Sequence, residues 1–239
     1  AGEASVARVT AAGVARDLTG APSVDFDVTA EEIAAAGAAL ARLAVTGRAE
    51  DLVEALRVTF EAEGGPLSGP AAAETIRAEG ALSDLAGEIE GRVAMTVSRL
   101  SAGGVAVGTV RLDAEGAGLV GDPSGRAELA AQGVDLAGRG RFERLTLAAE
   151  GRAAALSVAL DGTGRWGEDG PLSLVGRASG GLAGEGARVE VSRLALTAGE
   201  AEAALRRPLV VSRAGGATRL SALDLALPGG GVTGEAAVF

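Results

Sequence analysis

Any chemistry in this chain has to come from carboxylates, hydroxyls and arginines. It holds 32 acidic and 22 basic residues, every basic residue is arginine, and histidine, cysteine, lysine, asparagine and tyrosine are absent. A serine or cysteine nucleophile of the usual kind needs an imidazole base, which is missing. Ordinary zinc sites need Cys or His, and a phosphate-binding Walker loop needs its lysine. Carboxylate pairs can hydrolyse glycosides, but sugar clefts offer aromatic platforms, and Trp166 is the one tryptophan. Gly162-Thr-Gly-Arg-Trp-Gly167 matches the dinucleotide pattern G-x-G-x-x-G, which binds pyrophosphate only where a helix follows. Here Glu168-Asp-Gly-Pro171 follows, so the match is expected to be a hairpin connection, with Trp166 capping the sheet edge. Asp161, Glu168 and Asp169 are near enough in sequence to suggest calcium, but the glycine-aspartate repeats of calcium-binding β-rolls are absent. The expectation is a non-enzymatic protein with no catalytic residue, metal or cofactor.

The pattern that organises the chain is instead alternation. Leu145 and Leu147 alternate with Arg144, Thr146 and Ala148; Leu156, Val158 and Leu160 alternate with Ser157, Ala159 and Asp161; Leu172 and Leu174 flank Ser173. Successive strand residues point to opposite faces, so each run presents one aliphatic and one mostly polar face. A turn is expected over Gly162–Gly170, between the second and third runs. The same texture recurs at Val24/Phe26/Val28, Val58/Phe60, Val93/Met95/Val97, Val189/Val191, Leu209/Val211 and Leu223/Leu225/Leu227. About fifteen such runs imply an all-β, long antiparallel meander, and no βαβ alternation or linker interrupts it. At ~4.8 Å per strand a single sheet of that size extends roughly 70 Å, and such sheets curl, split or close.

Two local features are harder to assign. Over residues 30–45, Ile33, Gly37, Leu40 and Ala44 fall at helical spacing, while Leu43 and Val45 keep a period of two; strand-turn-strand and a short helix both remain open. Elsewhere the alternation slips by one position, between Val107 and Val110, Val191 and Leu194, and Leu220 and Leu223. Since a slip would turn a strand inside out, bulges are expected near Gly108, Arg193 and Ser221.

Composition narrows the partners. The aliphatic face is built from small residues, because aromatics make up 2% of the chain and hydrophobics 47%. A net charge of −10 argues against nucleic acid and against docking on anionic membrane by charge. No run reaches the roughly 18–20 apolar residues of a membrane-spanning helix. The chain opens on Ala1-Gly-Glu and ends on Val238-Phe239 as though cut from something longer, so residues 1–239 are expected to be one elongated segment of a larger protein.

An aliphatic face on so many strands requires burial. It can be packed shut, as in a closed sandwich, barrel or adhesive β-solenoid. It can also line a trough for a hydrocarbon guest. In the second case the alternation assigns Val58, Phe60, Val93, Met95, Val97, Leu145, Leu147, Leu156, Val158, Leu160, Leu172, Leu174, Val189, Val191, Leu223, Leu225 and Leu227 to the lining. A further alternative is a chaperone-like trough that guides unfolded strands by edge pairing.

The repeated short strands, with turns such as Gly47-Arg-Ala-Glu-Asp-Leu52 and Gly125-Arg-Ala-Glu-Leu129, resemble those of the AsmA-like bridge proteins, the TamB group most closely. The stretch from Arg207-Pro-Leu-Val-Val-Ser-Arg213 to Leu223-Asp-Leu-Ala-Leu-Pro-Gly-Gly-Gly231 is the most similar part. The likeness spans nearly the whole chain and carries no catalytic motif. It implies a periplasmic β-taco, a long apolar groove in a protein anchored in the inner membrane of a Gram-negative bacterium. It further implies passage of phospholipid acyl chains toward the outer membrane, in support of outer-membrane biogenesis. The implied partner is an Omp85-type barrel (TamA), met by parts outside this segment; no residue here takes an anchoring or docking role from the resemblance.

Overall fold

The computed structural model describes residues 4–17, 20–52, 56–84, 88–118, 123–168, 170–183, 186–214 and 217–238. Every regular element among them is a strand. The chain divides into two compact units, Ala1–Pro123 and Ser124–Phe239.

The first unit holds β1 (Ser5–Arg16), β2 (Ser23–Ala35), β3 (Ala38–Glu50), β4 (Arg57–Gly64), β5 (Leu67–Ser68), β6 (Ala71–Ala72), β7 (Thr75–Ser83), β8 (Glu90–Ala102) and β9 (Val105–Ala117). The pairing is antiparallel throughout and follows chain order, with β4 and β5 sharing one row and β6 and β7 the next. The second unit holds β10 (Ser124–Leu136), β11 (Gly140–Arg152), β12 (Ala155–Trp166), β13 (Gly170–Ala183), β14 (Gly186–Ala198), β15 (Ala201–Leu205), β16 (Leu209–Ala214), β17 (Ala217–Leu227) and β18 (Gly230–Val238). It is again a sequential antiparallel meander, with β15 and β16 sharing a row between β14 and β17. Seven rows in one unit and eight in the other account for the expected number of runs. The fold is all-β, and neither meander closes on itself: no ladder joins β1 to β9 or β10 to β18 among the described residues.

Residues 30–45 are strand, turn, strand. Ala36 and Gly37 take φ of 51° and 81°, the two left-handed positions of a hairpin turn whose twist matches its strands. Alanine carries a steric cost at the first position that asparagine largely avoids. Ala36→Asn should therefore raise stability by about 0.5–1 kcal/mol, read as a small upward shift in thermal midpoint; a fall would contradict this turn geometry.

The first unit repeats. Following the ladder, Phe26 in β2 faces Gly47, which faces Phe60 in β4; Phe60 faces Gly80, which faces Val93 in β8. Two strands and their connections thus take 33 or 34 residues. The backbone keeps the same period: left-handed residues recur at Asp17, Asp51, Asp84 and Gly118 along one end of the strands.

A second feature crosses those strands. The β2–β3 ladder skips Glu32 and Ala41, Gly65-Pro66 separates β4 from β5, Ala73-Glu74 separates β6 from β7, and the β8–β9 ladder skips Arg99 and Gly108. These interruptions adjoin one another. Ala41 donates its N–H to Pro66 O at 3.0 Å, Gly65 to Arg42 O at 3.0 Å, and Glu74 to Ser98 O at 3.0 Å. Glu32 and Arg99 hold φ of 53° and 51°, which bends the strand as a bulge does. Together they form a crease running across the unit, close to the hairpin turns at Ala36-Gly37 and Gly103-Gly104. In the second unit, Gly133 (φ 66°) and Glu143 make the same interruption in β10–β11.

Two of the three expected bulges are register shifts: one opposite Arg177/Ala178, where Ser192 is the extra residue, and one between Leu220 and Leu223. At Gly108 neither strand gains a residue. The ladder skips the Arg99/Gly108 pair, and left-handed Arg99 absorbs the slip.

One expectation needs correction. The turn foreseen over Gly162–Gly170 begins only at Gly167, because β12 continues through Trp166. Of the first glycines in that stretch, neither Gly162 nor Gly164 has positive φ; both instead make room. A Cβ on Gly162 would lie 2.8 Å from Leu145 Cδ1 and 3.0 Å from Phe142 Cε1, and one on Gly164 would lie 2.6 Å from Phe142 Cα.

Candidate functional site, the aliphatic face of each unit

Directly paired residues of an antiparallel ladder share a face, so the register sorts every side chain. In the first unit one row reads Gly13, Phe26, Gly47, Phe60, Gly80, Val93, Ala114. The Phe26 ring lies over Gly47, and the Phe60 ring over Gly80, where a Cβ would come within 2.6 Å of it. A glycine beside each phenylalanine lets the ring lie down along the sheet and cover its neighbour, so the face stays shallow despite its aromatics. In the second unit a matching row reads Val134, Phe142, Gly164, Leu172, Ala198.

All seventeen residues assigned to the lining lie on this one face of their unit. Val58 and Phe60 in β4 share it with Val93, Met95 and Val97 in β8. Leu145 and Leu147 in β11 share it with Leu156, Val158 and Leu160 in β12, Leu172 and Leu174 in β13, and Val189 and Val191 in β14. Leu223, Leu225 and Leu227 join through the pairing of Leu196 with Ala203 and of Leu205 with Leu225. Parity survives the slips because each interruption restores it: Val107 and Val110, Val191 and Leu194, and Leu220 and Leu223 end on the same side. Sequence reasoning did not assign Phe26, Leu43, Ile76, Val134 and Phe142 to the lining, although they stand in the same rows. Phe26 sits in the run Val24/Phe26/Val28, so continuing the period of two reaches it.

This face is not sealed. Only five hydrophobic side chains are buried among the described residues (Ala73, Ala131, Val134, Phe142 and Leu172), and no large side chain is fully enclosed. Leu147 is 39% exposed, Val189 38% and Leu182 61%. In the second unit every exposed large hydrophobic among the described residues belongs to the aliphatic face: Leu147, Leu156, Leu182, Val189, Leu194, Leu196, Leu227 and Val232. The accessible surface is 14890 Å². A compact monomer of this mass exposes ~9,700 Å², and even two compact halves expose only ~11,700 Å² together. The excess is surface that the open meanders leave uncovered.

The other face is ionic. Arg16 and Arg48 reach Asp25 at 3.1 and 3.8 Å, Arg77 reaches Glu63 at 3.0 Å, and Arg165 reaches Glu143 at 3.1 Å. Arg99 pairs with Glu74 on the crease. Asp113 accepts a hydrogen bond from Arg111 and raises its already high pKa. These pairs are exposed, so each wets the surface more than it holds the fold. Arg77→Gln should accordingly change stability by less than about 1 kcal/mol in a denaturant titration; a larger loss would give these pairs a structural weight that their exposure denies them.

The residues weighed for chemistry are dispersed. Arg177 Nη1 and Nη2 bind the Asp161 carboxylate at 2.9 and 3.2 Å. Asp161 is thus held in mid-strand, Glu168 is exposed in the hairpin, and Asp169 lies outside the described residues. Among the described residues no group of three His, Cys, Asp or Glu side chains is placed to hold a metal ion. The glycine pattern ending at Gly167 leads into strand β13, so no helix N-terminus is available for a pyrophosphate. Trp166 packs over Gly140, 2.7 Å from where a Cβ would stand, with Gly199 on its other side. No described helix is long and apolar enough to cross a membrane. What the arrangement can do chemically is bury hydrocarbon. Neither a family model, nor a curated protein, nor a solved structure matches this chain.

Proposed function

We propose that the aliphatic face of each unit shields the acyl chains of phospholipids, as a non-enzymatic, TamB-like segment that carries them through the periplasm toward the outer membrane. One observation carries this reading: the exposed large hydrophobics of the second unit collect on a single face. Large hydrophobics left exposed together on one face mark an interaction site. The partner's chemistry follows from the sheet itself. Face residues offer no backbone hydrogen bonds, because the ladders have used them. An irregular peptide segment laid on this face would strand its own amides at a cost of roughly 1–3 kcal/mol per group. An alkyl chain has none to strand. Burying methylenes gains about 0.8 kcal/mol each, so a 16-carbon chain covered on one side stands to gain on the order of 5–10 kcal/mol. Ala, Val and Leu leave room for a flexible tail, and the ionic outer face keeps the sheet in water.

The test is saturable binding. A fatty acid carrying an environment-sensitive fluorophore should bind with a blue-shifted emission and be displaced by unlabelled phospholipid. Absence of saturable uptake would favour a packed β-solenoid. Saturable binding of outer-membrane β-signal peptides, with no uptake of lipid, would favour the strand-guiding alternative.

A further inference from the structure

The net charge is unevenly shared. Nine of the 22 arginines and nineteen of the 32 carboxylates lie in Ala1–Pro123, which leaves thirteen of each in Ser124–Phe239. The whole −10 therefore belongs to the first unit, and a second unit of zero net charge is not repelled as a body by anionic lipid.

Within the second unit the two sets of strand ends differ. At one, the connections 137–139, 167–169, 199–200 and 228–229 carry Arg139 against Glu168, Asp169 and Glu200. At the other, the connections 153–154, 184–185 and 215–216 carry Glu185 alone, with Asp122 just ahead of β10. The strand residues beside these are basic. Arg152 closes β11, Arg188 is third in β14, Arg213 is fifth in β16 and Arg219 is third in β17. No carboxylate shares their rows: Arg188 pairs with Gly181 and Ser212, which pairs with Arg219; Arg213 pairs with Ala187 and Thr218; Arg152 pairs with Ser124 and Ala155. The first acids inward are Glu150 and Glu190, in a row that also holds Arg126. All four end arginines are exposed, and Arg188, Arg213 and Arg219 make no ion pair among the described residues.

The same end carries an exposed leucine. Leu182, last but one in β13, is 61% exposed, more than any other large hydrophobic of this unit among the described residues. Its N–H donates to Ala153 O at 2.9 Å, which ties it to the β11–β12 hairpin.

We infer that this end of the second unit docks on an anionic lipid surface, with Leu182 entering the interface and the arginines meeting lipid phosphates. All four arginines lie within two residues of a strand end, roughly 7 Å, inside the ~8 Å over which physiological salt screens charge. Basic side chains that close to anionic lipid each strengthen binding, and an apolar side chain among them adds burial at the acyl boundary. A soluble polyanion would use the arginines and leave Leu182 in water. The docking stands apart from acyl shielding, since it uses strand ends and headgroup charge and not the sheet face.

The experiment is flotation of the 239-residue chain with vesicles. The chain should float with phosphatidylglycerol–phosphatidylcholine vesicles (~3:7), stay down with phosphatidylcholine alone, and be released by ~0.5 M salt. Arg188→Glu combined with Arg219→Glu should lower partitioning at least about tenfold, and Leu182→Ser about threefold or more. Arg139→Glu, at the opposite strand ends, should change nothing. Leu147→Asp should still dock, which separates docking from alkyl uptake. Partitioning that ignores lipid charge, or that survives both end variants with their thermal midpoints intact, would overturn the inference. So would heparin binding that Leu182→Ser leaves unchanged while vesicles go unbound, which would assign the arginines to a soluble polyanion. Absence of flotation with any vesicle would remove the docking and leave acyl shielding standing.

Discussion

Leu147→Asp is expected to weaken alkyl-chain binding at least about thirtyfold while leaving the sheet folded. Leu147 stands in the row Leu129, Leu147, Leu160, Gly176, Leu194, midway along β11 on the second unit's aliphatic face. Its 39% exposure gives a carboxylate there access to water in the empty protein. Stability should then fall by only about 1–2 kcal/mol, the share of leucine burial that is lost. An alkyl guest must strip that water away, at a cost of at least about 2 kcal/mol, which corresponds to the thirtyfold loss. A sealed interior makes the opposite forecast. There the charge would be buried in both states, and the loss would exceed about 4 kcal/mol and unfold the unit. Calorimetry and binding on the same variant separate the two: a collapsed midpoint contradicts the open face, and unchanged binding contradicts the lining role. Val158→Asp, facing Ala149 and Ala178 in the same set of rows, should behave alike.

Gly80→Val is expected to destabilise the first unit by about 3 kcal/mol, more than most single changes in so exposed a sheet. The added Cβ would come 2.6 Å from Cε1 and Cζ of Phe60 and 2.9 Å from the Arg92 carbonyl oxygen. The ring can swing away, but the carbonyl is backbone and cannot. Phe60→Ala in the same chain should therefore recover part of the loss and no more, a coupling of about 1–2 kcal/mol in a double-mutant cycle. Two glycines supply the contrast. Gly176→Ala meets nothing nearer than Leu160 Cβ at 3.2 Å, and Gly234→Ala meets nothing within 4 Å. The first should cost less than about 1 kcal/mol and the second should be neutral or slightly stabilising. Equal effects at Gly80 and Gly234 would mean that the glycines serve chain flexibility and not the seating of rings.

The alternation is legible in the sequence because period two is a direct consequence of strand geometry, and leucine and valine mark it sharply against arginine, serine and threonine. That is why Leu145, Leu147, Leu156, Val158 and Leu160 fall on one face from their spacing alone. The places where sequence misleads have a common cause: glycine and charge each serve more than one purpose. Gly162 and Gly164 look like turn residues, yet they sit in a strand because the Phe142 ring and the facing backbone need the room. Over residues 30–45, the apparent helical spacing comes from the crease. Left-handed Glu32 breaks the period beside Ile33, and the paired skip at Ala41 sets Leu40 and Leu43 three apart. Alanine-rich β1 is longer than its pattern suggests, since Ala11, Ala12 and Gly13 offer no alternation to detect. The repeat of 33 or 34 residues is harder still to read, because what recurs is a sign of φ. Asp17, Asp51 and Asp84, each followed by leucine, are the sequence signal that could expose it. The crease has no residue-type signature, being built from Glu32, Ala41, Gly65, Glu74, Arg99 and Gly108.

The most direct measurement is native mass spectrometry of the chain purified from a Gram-negative host without detergent. Phospholipid should accompany it in stoichiometric amount, leave when the chain is unfolded, and rebind on refolding in the presence of vesicles. A chain that carries no lipid, takes up none when refolded beside vesicles, and keeps its aliphatic face shielded from a small apolar dye would show that this surface closes on itself.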